Sequence, residues 1–249
     1  MADTRLHLVR MAFETPRLLA LGRARRLPIH ETDLGYLVHC AMGEIFGDDS
    51  PSPFAITGAK GRHQEVLAYS SLGASELRLG AERYAAPEAH ACCDWEAFAA
   101  KPMPGDWHQG ERLGFGLRAC PVVRMASAGT HHRKGAEVDA FLARCWAEPE
   151  GSRVDRETVY RDWLSSQLDR HGGATLRACQ VRGFQRSRLL RRSHGGDRRS
   201  HFVERTAVDF QGEIEVRDPA QFGALLARGV GRHRGFGFGM LLLRRLPRT

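Results

Sequence analysis

Two halves of the chain carry the same succession of hydrophobic periodicities, and that succession leaves few folds open. Residues Arg5 to Phe13 alternate as a half-buried strand does. After an arginine-rich connection, Leu34, Leu37, Val38, Ala41, Met42, Ile45 and Phe46 recur at the three- and four-residue spacing of an amphipathic helix. Thr32 or Asp33 stands where an N-cap belongs, and Gly47 where a helix closes in a left-handed conformation. Phe54 to Ala59 and Glu65 to Ser70 then read as a hairpin, Ser75 to Tyr84 as a second helix, and Ala91 to Lys101 as a closing strand. The order β-α-β-β-α-β is that of a split βαβ, or ferredoxin-like, unit.

The Pro- and Gly-rich segment KPMPGDWHQG separates this unit, residues 1–103, from a second at 111–249. There, Arg112 to Val123 reads as a strand, followed by helical patterns at Glu137 to Trp146 and Val154 to Leu168. Strands at Thr175 to Arg186 and Arg199 to Val216 follow, then a helix opened by Asp218-Pro219 and closed by Gly229, and a last strand at Phe236 to Leu243. The fold class is therefore α+β, two tandem ferredoxin-like (βαββαβ) domains with a helical insertion at about 135–171 in the second. No sequence repeat links the halves; the duplication is one of pattern. Trp146, Trp163 and Phe141 fall at helical spacings and read as core.

The chain's 249 residues, 42% hydrophobic, suffice for this arrangement. No run reaches the roughly 18 apolar residues of a spanning helix, and charges break the N-terminal stretch where a signal peptide would be apolar. A cytoplasmic protein without membrane contact is expected. The six cysteines show no C-x-x-C spacing and read as buried thiols, and no His, Cys and carboxylate cluster has metal-ligand spacing, so no metal site is expected.

The formal charge of +8 comes from 37 basic residues, of which all but Lys60, Lys101 and Lys134 are arginine. A GC-rich genome would produce such a bias by itself, but the distribution points further. Residues 170 to 205 hold ten arginines against Asp197 and Glu204, six more follow from Arg228 onward, and Arg17, Arg23, Arg25 and Arg26 cluster near the start. The guanidinium fork grips phosphate and stacks on bases, so separated clusters suggest a polyanion partner, the alternative for each being a solvated face. Arg186, Arg188, Arg191, Arg192, Arg198 and Arg199 are candidates to hold RNA. So is the loop His131-His132-Arg133-Lys134, whose consecutive side chains should diverge and so make a poor metal site.

Residues 229 to 240, GVGRHRGFGFGM, alternate five glycines with bulky side chains. Such a backbone can approach a ligand closely and turn its amides to phosphate, although a tight structural turn would have the same composition. The loop follows a helix and leads into a terminal strand, the reverse of a dinucleotide-binding loop, so no nucleotide cofactor is expected. Gly229, Gly231, Arg232, His233, Arg234 and Gly235 are its candidate contacts. On the first helix Tyr36 and His39 share a face, i and i+3, away from the apolar stripe. An imidazole so placed can take a proton from a ribose 2′-hydroxyl or give one to a leaving 5′-oxygen without a metal. Among the 12 histidines, His30 and His233 are rivals, and Arg23, Arg25 or Arg26 are within plausible reach to stabilise charge on phosphate.

The glycine-rich loop followed by Leu241-Leu242-Leu243 resembles the final loop and strand of the CRISPR repeat-processing endoribonucleases of the RAMP superfamily, nearest to the CasE branch. Tyr36-Leu-Val-His39 stands at that branch's Tyr-x-x-His, and LGFGLRACPVV is similar to the opening strand of its second domain, with Arg118 at the basic position. The resemblance implies two ferredoxin-like domains and His39, Tyr36 and Arg23 as catalytic residues. It also implies a CRISPR repeat hairpin as ligand, other effector-complex subunits as partners, and no cofactor. The long arginine-rich connection at 14–31 and the helical insertion depart from the branch and suit a diverged one, such as the processing enzyme of a type IV CRISPR system. The other function the resemblance allows is a guide-RNA-binding subunit that does not cut.

Overall fold

The computed structural model describes residues 5–29, 33–192 and 200–246, with only the backbone of Arg191, Arg192, Ser200 and His201. In the first half β1 (His7–Glu14), α1 (Thr15–Ala24), α2 (Leu34–Phe46), β2 (Phe54–Lys60), β3 (His63–Ser70), α3 (Ala74–Tyr84), the single turn α4 (Pro87–His90) and β4 (Ala99–Pro102) follow one another. The strands form an antiparallel sheet in the order β2-β3-β1-β4, which is the ferredoxin-like arrangement. Alternation in β1 sends Val9, Met11 and Phe13 to one face, where the α2 stripe of Val38, Ala41, Met42 and Ile45 meets them together with Leu77 and Ala81 of α3.

Two local readings change. The arginine-rich connection contains α1: Pro16 opens it, Leu18, Leu21 and Gly22 are buried, and the arginines that masked this short stripe point outward. The strand expected at 91–101 shrinks to β4. Cys92, Cys93 and Phe98 are buried with Trp95 packed against them, so the backbone follows that packing rather than the sheet edge.

The second half comprises β5 (Arg112–Ala119), β6 (Val122–Arg124), β7 (Glu137–Asp139), α5 (Ala140–Ala147), α6 (Arg156–His171), β8 (Ala174–Arg192), β9 (Ser200–Val216), α7 (Pro219–Arg228) and β10 (Leu242–Arg244). Its sheet runs β10-β5-β9-β8, antiparallel throughout, repeating the topology of the first. Pro121 divides the expected strand at 112–123, and β6 pairs instead with β7 in a small ribbon. The insertion thus opens with a strand. α6 lays Tyr160, Trp163, Leu164 and Leu168 into the core, and α5 packs beside it. The last strand begins only at Leu242, because Gly237 and Gly239 at φ +82° and +83° break the extended run that their apolar neighbours suggest. β8 and β9 continue past their pairing with β5 as a two-stranded ribbon.

The halves share core. Ala55 and Tyr69 of the first sheet belong to the cluster centred on Phe115, Phe210 and Leu225, and the Tyr69 hydroxyl donates to the Leu241 carbonyl at 2.8 Å. Leu27 and Leu37 pack on Leu190 of the ribbon. Among the described residues no helix is long and apolar enough to cross a membrane.

Candidate functional site

Where α2 meets the loop that follows α7, a cleft of about 1410 Å³ opens between the halves. Asp33 caps α2 by accepting from the Gly35 amide at 2.7 Å. Burial pushes its carboxyl above the usual range, against those hydrogen bonds and the charge of Arg118. Gly35 lies against the Phe236 carbonyl, where any Cβ would collide. The helix can therefore approach the loop only because this position lacks a side chain. The next residue, Tyr36, stacks on Phe236 with centroids 5.5 Å apart, and its ring is 6.2 Å from that of His39. The imidazole of His39 rests over Gly235, where a Cβ would stand 3.4 Å from Cε1. His39 is open to solvent through the cleft, yet the surrounding walls lower its pKa from 6.5 by penalising the charged form.

The rim is cationic. Arg124, Arg170, Arg228, Arg232 and Arg234 line the cleft with His171, and among the described lining residues none is acidic. His171 is held below the ordinary imidazole range, first by desolvation and then by Arg228, Arg170 and Arg234. Glu137, at the start of β7, ties the loop down from behind. Its carboxylate meets Arg232 Nε at 2.7 Å, and both His233 Nε2 and an Arg205 guanidinium nitrogen at 3.3 Å. The Glu137 and His233 side chains are 11% and 1% exposed, so this carboxylate is buried with cations around it. Arg118, at the basic position of β5, pairs with Asp209 at 3.4 Å, and its backbone carbonyl accepts from the Gly239 amide at 2.7 Å.

Of the residues singled out in the sequence, the cleft brings together Tyr36, His39, Gly229, Gly231, Arg232, His233, Arg234 and Gly235. Arg23 is exposed on the last turn of α1 and does not line it. Arg25 is engaged by Glu44 of α2 at 2.5 and 2.8 Å, and Arg26 is exposed at φ +54°. His131, His132, Arg133 and Lys134 occupy the loop from β6 to β7. The two histidines do not diverge: their rings stack on Trp146 at 5.1 and 5.8 Å, and Trp146 is no core residue but 38% exposed. Arg186 and Arg188 are exposed on β8, the first 3.5 Å from Glu204 and the second 4.3 Å over the Phe202 ring. Arg191 and Arg192 end that strand, while His30, Arg198 and Arg199 lie outside the described residues.

Sequence reasoning passed over Arg124, Arg170, His171 and Arg228 as site residues. Three of them had a readable signal, since Arg170 and His171 precede the capping Gly172, and Arg228 precedes Gly229. A cation in a last helical turn sits at the helix end, and here both ends converge on the cleft.

A family model described as CRISPR associated protein matches residues 6–245. The CRISPR-associated endoribonuclease Cse3 of Thermus thermophilus is 30% identical over 152 residues, 59% of this chain and 62% of that protein, so the match spans less than two thirds of the relative's length. Among solved structures, Thermus thermophilus Cse3 bound to an RNA representing a pre-cleavage complex superposes with a TM-score of 0.59 and 20% identity, covering 96% of this chain and 99% of that one. Cas6e from Escherichia coli K-12 gives 0.55 and 17%, covering 96% and 100%. Both likenesses are in the fold.

Proposed function

The chain belongs to the CRISPR-associated protein family, and on that premise we propose that it is an RNA endonuclease that binds the hairpin of a CRISPR repeat and cuts precursor crRNA in the cleft without a metal ion. The observation that carries this reading is the placement of Tyr36 and His39 opposite a rim of arginines. The relative named an endoribonuclease and the RNA-bound structure of the same fold support it.

Neutral His39 accepts the proton of the 2′-hydroxyl beside the scissile phosphate, and the 2′-oxygen attacks phosphorus. The bond to the 5′-oxygen breaks, that oxygen takes a proton from water in the open cleft, and the imidazolium returns its own to solvent. The products are a 2′,3′-cyclic phosphate and a 5′-hydroxyl. Arg228 and Arg234, which line the cleft, neutralise charge building on the phosphate, and Tyr36 beside His39 orients it. The β8–β9 ribbon, with Arg186 to Arg192, holds the A-form stem through its phosphates, and the product stays bound for an effector complex.

Incubation with end-labelled repeat RNA in EDTA should give one cut, abolished by deoxyribose on the 5′ side of the scissile phosphate. Strong cutting of the deoxy-substituted RNA would overturn internal attack. Uncut but tightly bound natural RNA would favour a guide-RNA-binding subunit, a reading that draws on the same arginines and on Arg23 not being among the residues that line the cleft.

A further inference from the structure

The loop joining β6 to β7 builds a feature that cleavage chemistry leaves unused. Gly129 and His132 are bridged backbone to backbone, with the Gly129 amide donating to the His132 carbonyl at 2.9 Å. A Cβ at 129 would stand 2.7 Å from the His132 imidazole, so glycine at this position lets the ring lie close over the turn. The turn lays two consecutive imidazoles on one indole, the planes within 27° and 22° of the Trp146 ring. The stack is at the surface. His131 is exposed, Trp146 is 38% exposed, and Leu142, one turn earlier on α5, is 43% exposed.

Arg133 and Lys134 follow the two histidines in the same loop and are exposed. Arg144, two residues before Trp146 on α5, pairs with Glu148 at 3.7 Å. Arg124 links this loop to the cleft, since it lines the cleft wall and lies against Gly135, 3.6 Å from where a Cβ would be. An exposed π-surface whose own loop carries Arg133 and Lys134 matches the chemistry of an unpaired nucleobase on a phosphate chain, since every base offers a π-face and the sugar-phosphate backbone follows positive charge.

We propose that Trp146 with His131 and His132 is a stacking site for an unpaired nucleobase in the RNA strand that leaves the cleft over Arg124. The site rests on RNA being the ligand and adds a contact outside the paired stem. The test uses the full chain and a repeat hairpin blocked by deoxyribose at the cut, with 2-aminopurine at successive positions of the single-stranded flank. One position should be quenched on binding. Trp146→Ala should abolish that quench and weaken binding about 5- to 100-fold, the range for loss of one base–aromatic stack. Trp146→Phe should restore most of both, and a stem-only RNA should bind the three proteins alike. Equal binding of the flanked RNA by wild type and Trp146→Ala, with no position quenched, overturns the site and leaves the patch to a protein partner. Failure of the wild type to bind either RNA would overturn the RNA reading itself, a result distinguishable from the first.

Discussion

The general base proposed here must be neutral to work, and the walls around His39 favour that form. His39→Ala should slow single-turnover cleavage by roughly a hundred- to ten-thousand-fold while leaving hairpin affinity nearly unchanged. A wild-type rate would move the chemistry elsewhere. In the pH–rate profile the ascending acidic limb should have its midpoint below 6.5, the ordinary value from which His39 is lowered. Stability follows with a definite sign. His39 and His171 are both depressed in the folded state, so between their folded values and 6.5 the unfolded chain binds more protons. Their contribution is complete above about pH 6.5 and is lost as pH falls through that window. His171 adds a second expectation. Part of its depression comes from Arg228, Arg170 and Arg234. Phosphate bound to those arginines cancels their repulsion, so RNA binding at about pH 6 should take up protons. Titration calorimetry in two buffers of different ionisation enthalpy checks it, and heats independent of buffer would contradict it. Tyr36 and His39 were legible because i, i+3 spacing on a helix fixes a shared face whatever surrounds it. Arg23 and Arg25 were not, because a long side chain finds its partner through tertiary placement; Arg25 found Glu44.

At the level of elements, periodicity and punctuation were enough for both sheets, since Asp33, Gly47, Asp218 and Gly229 mark helix ends by local chemistry. Elements whose pattern was too short or competed with other demands escaped. α1 presents only a narrow stripe of Leu18 and Leu21 among arginines, and the run from Phe236 to Leu241 is apolar but bent by glycines at positive φ. The length of the β8–β9 ribbon was also partly hidden, because beyond β5 its strands no longer have a sheet to alternate against. That ribbon carries the arginines assigned to the stem, and they are not equivalent. Arg186 faces Glu204, whereas Arg188 lies over Phe202. Replacing Arg188, Arg191 and Arg192 together with Ala should weaken hairpin binding and flatten its salt dependence. Each lost phosphate contact removes roughly 0.7 to 0.9 from the slope of log K against log salt. Dissociation constants at several salt concentrations measure this directly, and equal slopes for wild type and the triple variant would remove the ribbon from the RNA interface.

The molecule as a whole makes its cleft by apposition: α2 comes from one βαββαβ unit, the glycine-rich loop from the other, and neither holds the cleft alone. Two contacts across this junction have different consequences. Tyr69 donates to the Leu241 carbonyl from within the shared core, so Tyr69→Phe leaves a buried acceptor without its donor and should cost about 1–3 kcal/mol of stability. The cleft geometry, set elsewhere, should survive. Gly35 touches the Phe236 carbonyl at the mouth of the site, and Gly35→Ala must push the loop from the helix, taking Gly235 away from His39 and Phe236 away from Tyr36. A displacement of about 1 Å is enough to lose roughly a hundredfold in rate where reacting groups are prealigned. The expected pair of results is therefore crossed. Tyr69→Phe lowers the melting temperature but cuts at nearly the wild-type rate when folded. Gly35→Ala cuts about a hundredfold more slowly at saturating protein, while the arginines of the ribbon still hold the hairpin. Single-turnover rates, hairpin affinities and thermal melts on the two variants separate these effects. A Gly35→Ala protein that cuts at the wild-type rate would show that the close approach of α2 to the loop is not needed for the reaction. The positioning would then have to come from RNA contacts on one unit alone.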